Sequence, residues 1–332
     1  MVDIRIPEAE KRAIAEQYFN RLVKWIDDNG KWSIKDPMAD EMMRFIQNGQ
    51  NNGRDFFLAS PDSLENKSKE FSDEFAAEKK KYDASKNNGM WKTTSYGIFV
   101  LRMREIYNRF MQKENDNEEN DNKKNDNKKK DNKDKNGYWL MKRLGVRVCP
   151  YCNINYTTTI NKRTKNRTIQ IRPEFDHFFP EAEHPSLILS FYNLVPSCPQ
   201  CNHLKKVQKL EVNPWIKLAR GIGPIFKVDT STGDFPRKPV IIIENENENI
   251  KKLGIIELYN EHTDYVKDIL DKIQAYNPAT YLAILKDFQG IVHTAADLDR
   301  MIWGNYTELS DSDKRPLAKL TADILRQYEK YL

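Results

Sequence analysis

All four cysteines of this 332-residue chain stand in two matched pairs, Cys149-Pro-Tyr-Cys152 and Cys198-Pro-Gln-Cys201, and its one Asp-His dipeptide, Asp176-His177, lies between them. Each second cysteine is followed by asparagine, at Asn153 and Asn202. Two Cys-x-x-Cys elbows offer the four soft thiolates of a tetrahedral zinc site. Redox dithiols are the competing reading of either pair alone. A repeated pair that uses every cysteine favours zinc held by Cys149, Cys152, Cys198 and Cys201. Such an ion would be structural, contributing on the order of 10 kcal/mol to the folding of a short basic segment that has little apolar core of its own.

Charge is concentrated in the same place. Between Tyr138 and Lys217 there are twelve lysines and arginines against five acids, a surplus of seven, while the whole chain carries only +5. A zinc tetrathiolate would reduce that surplus by about two and leave the asymmetry standing. A positive field confined to one segment suits a polyanionic partner, with an ordinary solvated basic face as the plainer alternative.

Between the elbows runs Pro173-Glu174-Phe175-Asp176-His177-Phe178-Phe179-Pro180, followed by Asn193-Leu194-Val195-Pro196-Ser197-Cys198-Pro199-Gln200-Cys201-Asn202-His203 and then Lys205-Lys206. This order of acid-His, Asn-Leu, Cys-x-x-Cys-Asn and downstream lysine resembles the HNH endonuclease family over roughly Tyr138 to Trp215. The resemblance implies a zinc-stabilised, treble-clef-like ββα-metal core in an α+β chain. It implies Asp176 as a ligand of a catalytic Mg²⁺ or Mn²⁺ and His177 as the general base toward the attacking water. Asn193 would brace the loop beneath that base, and Asn202 would be the second metal ligand. The family name expects His at that last position, so the adjacent His203 is the alternative ligand. The chemistry is coherent, because a hard divalent ion prefers oxygen donors and imidazole accepts a proton near neutral pH. DNA is the implied substrate, with 5′-phosphate and 3′-hydroxyl ends as products. A zinc module that binds nucleic acid without cutting it is the alternative function.

More loosely, the chain resembles the HNH subunits of bacterial anti-phage systems such as Septu, which implies an ATPase partner. The sequence contains no Walker-type Gly-x-x-x-x-Gly-Lys-Ser/Thr run, so nucleotide hydrolysis in such an assembly would fall to that partner.

The elements that must position these residues are partly readable from periodicity. Ile14, Tyr18, Leu22, Trp25 and Ile26 fall on one face of an expected helix over 7–28, ended by Gly30. Further helical stripes, read as core without chemistry, run through Met38, Met42, Phe45 and Ile46, then through Ile98, Leu101, Ile106 and Phe110. Residues 114–136 hold only Asn, Asp, Glu and Lys, with eight acids and seven lysines, and are expected to be a disordered linker. Alternation predicts a hairpin with strands over 156–160 and 168–172, whose turn presents Lys162, Arg163, Lys165 and Arg167 either to a phosphate backbone or simply to solvent. Lys205 and Lys206 are further candidates to meet phosphate. Val240 to Ile243 reads as a buried strand; helices are expected through Leu258 to Ile273 and over about 316–331. His184 reads as a loop residue, and His262 and His293 as packing histidines.

These elements divide the sequence into a helical region 1–113, the linker 114–137, the nuclease core 138–217 and a mainly helical region 218–332. The apolar runs are far too short to span a bilayer, and residues 1–10 lack the apolar region of a secretory signal, so no membrane association and a cytoplasmic location are expected.

Overall fold

The computed structural model describes residues 2–48, 51–111, 136–164, 167–217, 223–231, 235–276, 278–287 and 294–328, without the side chains of 163, 278 and 285. The expected linker 114–137 lies outside the described residues except for its last two, which open a helix instead. The fold is mixed α+β, with helices predominating and small two-stranded sheets. Among the described residues no helix is long and apolar enough to cross a membrane. The chain forms two compact units, both discontinuous in sequence: one comprises Ile6–Gly145 and Thr159–Val195, the other Met1–Arg5, Val146–Thr158 and Pro196–Leu332. The segment 138–217 is therefore shared between the units rather than forming one of them.

The first unit is built on helices α1 (Glu8–Asp28), α2 (Pro37–Gln47), α3 (Arg54–Phe57), α4 (Leu64–Glu74), α5 (Ala76–Ser85), α6 (Ser95–Met111) and α7 (Asn136–Leu144). Helix α1 buries Ile14, Tyr18, Leu22 and Ile26 of the predicted stripe, leaves Trp25 half-buried, and carries Glu8 and Glu10 where the helix dipole favours acids. Helix α2 starts cleanly because the Asp36 carboxylate accepts from Ala39 N at 2.8 Å and Pro37 occupies the first turn. An aromatic core knits these helices together: Phe45 meets Phe56, Phe71 and Phe75, and Phe71 stacks on Phe99 with centroids 5.0 Å apart. Gly97 lets α6 approach closely, since a Cβ there would lie 1.8 Å from the Trp91 carbonyl oxygen.

The same unit holds the hairpin β1 (Ile160–Arg163) and β2 (Thr168–Ile171), with Ile160 opposite Ile171 and Arg163 opposite Thr168. Its first strand begins four residues later than alternation suggests. Tyr156 is instead engaged in an isolated bridge to Val148, and Thr157 N donates to Arg147 O at 2.9 Å within the other unit. Strand β3 (Glu174–His177) follows and pairs with β4 (Leu194–Ser197); the boundary between units falls inside β4, after Val195.

The second unit contains α8 (Pro199–Lys205), the antiparallel pair β5 (Ile225–Asp229) and β6 (Val240–Glu244), and helices α9 (Glu248–Lys252), α10 (Ile255–Asn260), α11 (Thr263–Ala275), α12 (Pro278–Asp287), α13 (Ala295–Trp303) and α14 (Ala318–Gln327). Strand β6 is half-buried rather than buried: Ile241 points into the core while Val240 and Ile242 are exposed, because helices α10 and α14 cover one face of a two-stranded sheet. The helix expected from Leu258 to Ile273 is two, broken between Asn260 and Thr263. The last helix is shorter than its pattern: it starts at Ala318 after Leu317 takes φ 60°, and residues 329–331 lie outside the described ones.

Asn153 ties this unit together. It adopts φ 57°, a backbone conformation that asparagine tolerates well, and closes the first cysteine elbow by donating its N–H to Cys149 O at 2.8 Å. Its side chain donates to Ser312 O at 2.7 Å and accepts from Lys319 N at 3.1 Å, while its carbonyl accepts from Leu317 N at 2.7 Å. The first turn of α14 is thus capped by the cysteine elbow. Asn153→Ala should destabilise the protein by about 3 kcal/mol, from two lost buried hydrogen bonds and a strained φ. That corresponds to a melting temperature about 10 °C lower in calorimetry; Asn153→Gly, which accepts the positive φ, should lose less.

Candidate metal centre and active site

The two elbows bring their sulfurs together. All four Sγ atoms lie within 4.8 Å of one another, and Cys149, Cys152, Cys198 and Cys201 are all buried. The Cys152 and Cys198 sulfurs are 3.9 Å apart, too far for a disulfide at about 2.05 Å. That spacing is close to the edge of about 3.8 Å of a tetrahedron with metal–sulfur arms of about 2.3 Å. Backbone amides are aimed at the sulfurs: Ile154 N at Cys152 Sγ (3.4 Å), Cys198 N at Cys149 Sγ (3.3 Å) and Cys201 N at Cys198 Sγ (3.4 Å). Asn155 Nδ2 adds a donor to Cys198 Sγ at 3.4 Å. These donors suit thiolates, yet burial pushes the Cys149 thiol well above its ordinary value when no cation is present. A buried dication reconciles the two, so the donor set fits zinc. Among the described residues this is the one group of three or more His, Cys, Asp or Glu side chains close enough to share an ion.

Asp176 and His177 end β3 in the other unit, Asp176 buried at 3% exposure and His177 half-buried. His177 Nε2 lies 3.0 Å from the carbonyl oxygen of Ile188. A carbonyl only accepts, so Nε2 carries the proton and the lone pair of the neutral ring resides on Nδ1. The ring of Tyr107, from α6, packs edge-on against the imidazole with centroids 4.8 Å apart. Burial pushes the Tyr107 hydroxyl up, against the guanidinium of Arg172 and with the carboxylates of Glu181, Asp176 and Glu174, so it stays protonated.

Asn193 clamps the loop that separates β3 from β4. Its Oδ1 accepts from Phe179 N at 2.7 Å, and its Nδ2 donates to Phe179 O at 3.2 Å and Leu187 O at 3.0 Å. Its own carbonyl accepts from Phe178 N at 2.9 Å, next to His177. Only an amide offers an acceptor and two donors together, which is why aspartate could not close this loop in the same way. The helices of the same unit hold the loop from outside. Tyr18 OH donates to Leu189 O at 3.0 Å, Ser190 Oγ donates to Phe56 O at 2.6 Å, and Arg104 Nη2 pairs with Glu181 at 3.0 Å. His184 is tied in by Ser68 Oγ at 2.7 Å from its Nδ1 and by Phe179, whose ring lies 5.1 Å away.

The remaining sequence candidates are dispersed. Asn202 and His203 sit on α8 in the cysteine unit, Asn202 half-buried and His203 exposed, so the expected pairing of Asp176 with Asn202 links residues of different units. Lys205 departs from its expected role: its side chain is fully buried, whereas a phosphate contact must reach solvent, and of the two lysines only Lys206 is exposed. In the hairpin, Lys162 and Arg167 are exposed; only the backbone of Arg163 is described, and Lys165 lies outside the described residues, as does His293. His262 precedes α11 as its N-terminal flanking residue and is partly exposed. Sequence reasoning passed over Tyr107, which lies outside the stripe of Ile98, Leu101, Ile106 and Phe110, and Arg104 and the Ile188 carbonyl, which carry no motif.

No family model, curated protein or solved structure matches the chain. Metal analysis of the purified protein should find one zinc per chain. Cys152→Ser or Cys201→Ser should lose it, together with the cooperative melting of the cysteine unit, since a structural zinc contributes on the order of 10 kcal/mol; variants that keep a full melting transition without zinc would refute a structural role.

Proposed function

We propose that the chain is an HNH-type endonuclease that hydrolyses phosphodiester bonds of DNA, with His177 as general base. The observation that carries this reading is the Nε2–H to Ile188 carbonyl hydrogen bond, which leaves the basic lone pair on Nδ1 of a ring anchored at the end of β3. The Asn193 clamp beneath that ring supports it, as does the chain order β3, β4, α8, a strand-strand-helix succession like that of a ββα-metal core. The four-cysteine cluster fits the structural zinc that often buttresses such a core.

On this reading His177 Nδ1 takes a proton from water as the water oxygen attacks phosphorus, and the bond to the 3′ oxygen breaks with its electron pair going to that oxygen, which takes a proton from solvent to become the 3′-hydroxyl. Asp176 would be the carboxylate that holds a hard divalent ion, Mg²⁺ or Mn²⁺, and such an ion would supply stabilisation of the charge growing on the phosphoryl and leaving oxygens. Asn193 holds the loop so that His177 keeps its orientation. Of the expected phosphate contacts, Lys162, Arg167 and Lys206 have described, exposed side chains. An ATPase partner, as in anti-phage assemblies, belongs to the same proposal and would show as co-purification.

Supercoiled plasmid incubated with Mg²⁺ or Mn²⁺ should be nicked or linearised by the wild type, and His177→Ala should slow this by about 10²–10⁴-fold with zinc content and melting unchanged. Equal rates would remove His177 from the chemistry. Wild-type protein that binds DNA with an affinity falling about 0.9 log units per phosphate contact per decade of salt, yet cuts with no metal, would establish the non-catalytic zinc module instead.

A further inference from the structure

We infer that Tyr107 is a positioning residue for His177, supplied by the N-terminal helical region. This inference rests on the reading of His177 as a general base. A hydrogen bond from Nε2 to the Ile188 carbonyl fixes the tautomer. The Tyr107 ring, 4.8 Å away at an interplanar angle of 61°, packs edge-on against the imidazole and so constrains the plane of the ring. The two contacts come from different elements: the carbonyl from the loop that Asn193 closes, the aromatic ring from α6.

Helix α6 is suited to this task because it cannot shift easily. It buries Tyr96, Phe99, Val100, Met103, Ile106 and Phe110, and Gly97 seats its first turn against the Trp91 carbonyl. One turn before Tyr107, on the same face, Arg104 pairs with Glu181 of the loop at 3.0 Å. The helix therefore grips the loop with Arg104 and orients the ring at its edge with Tyr107. The hydroxyl of Tyr107 is not required for this; the aromatic face is. A displacement of about 1 Å in a catalytic group can cost about 10²-fold in rate, so even a modest loss of ring orientation should be measurable.

The test compares Tyr107→Phe, Tyr107→Leu and Tyr107→Met with the wild type and His177→Ala in steady-state plasmid cleavage, with zinc content and melting measured on each. Tyr107→Phe should stay within about threefold of wild type. Tyr107→Leu and Tyr107→Met should lower kcat by about 10- to 100-fold with KM within about twofold, because DNA contacts are untouched. In ¹⁵N-histidine-labelled protein, the His177 ring signal, assigned by its loss in His177→Ala, should move in the Leu and Met variants and stay in the Phe variant. An undiminished kcat in folded Leu and Met variants, with His177→Ala inactive, would overturn the positioning role and leave the nuclease reading intact. Full activity in His177→Ala would overturn both. Should Leu destabilise the unit, the flexible Met variant decides the question, and a Phe variant as impaired as Leu would also refute a role for the ring.

Discussion

Four sulfur atoms held within 4.8 Å of one another and shut away from water are the constraint on which the cysteine unit depends. Thiolates so close would repel each other, and neutral thiols accept only weakly from the amides aimed at them; a dication at the centre would resolve both difficulties. The cluster's connections extend beyond the four cysteines. Asn153 continues the first elbow into the first turn of α14, and the Tyr259 hydroxyl donates to Cys152 O at 2.7 Å. Asp323 on α14 accepts from Phe226 N at 3.0 Å, and Lys319 forms a buried ion pair with the same carboxylate at 2.6 Å. The four-cysteine cluster is thereby tied to a strand pair more than seventy residues, and a helix more than a hundred and sixty residues, beyond the first elbow in sequence.

The other unit solves a different problem, that of holding a sixteen-residue excursion between β3 and β4 still. Asn193 ties the loop to itself, and helices α1, α3, α4 and α6 tie it to the surrounding bundle. Half of those contacts end on backbone carbonyls, which a side chain cannot move. The result is a largely buried loop with few degrees of freedom beside His177, the arrangement the proposed general base would need if its reaction geometry is to be prepared before substrate arrives. The helical N-terminal region thus belongs to the catalytic apparatus that we propose, and is more than a flanking domain.

Much of this was legible in the sequence where the signal is local. The elbows could be read because Cys-x-x-Cys places two sulfurs on one turn whatever surrounds them, and α1 because Ile14, Tyr18, Leu22 and Ile26 repeat at helical spacing. Asp176, His177 and Asn193 were singled out by the resemblance of their motif to the HNH family, and their proposed roles await the cleavage experiment. Misreadings fell where local pattern and environment diverge. Val240 to Ile243 has the composition of a buried strand, yet its sheet has a partnered face and an open one. Lys205 carries the charge of a surface residue and is buried.

The sequence by itself determined the two cysteine elbows, the basic segment and the helical stripe of α1, because these depend on residue type and on spacings shorter than one element. Tertiary structure alone decided which nitrogen of His177 bears the proton, which aromatic ring lies against it, and that Asn153 caps α14. Each of these is a contact between groups eleven to one hundred and sixty-six residues apart along the chain. Such contacts are fixed by how the loops close and how the helices pack, and no local periodicity encodes them.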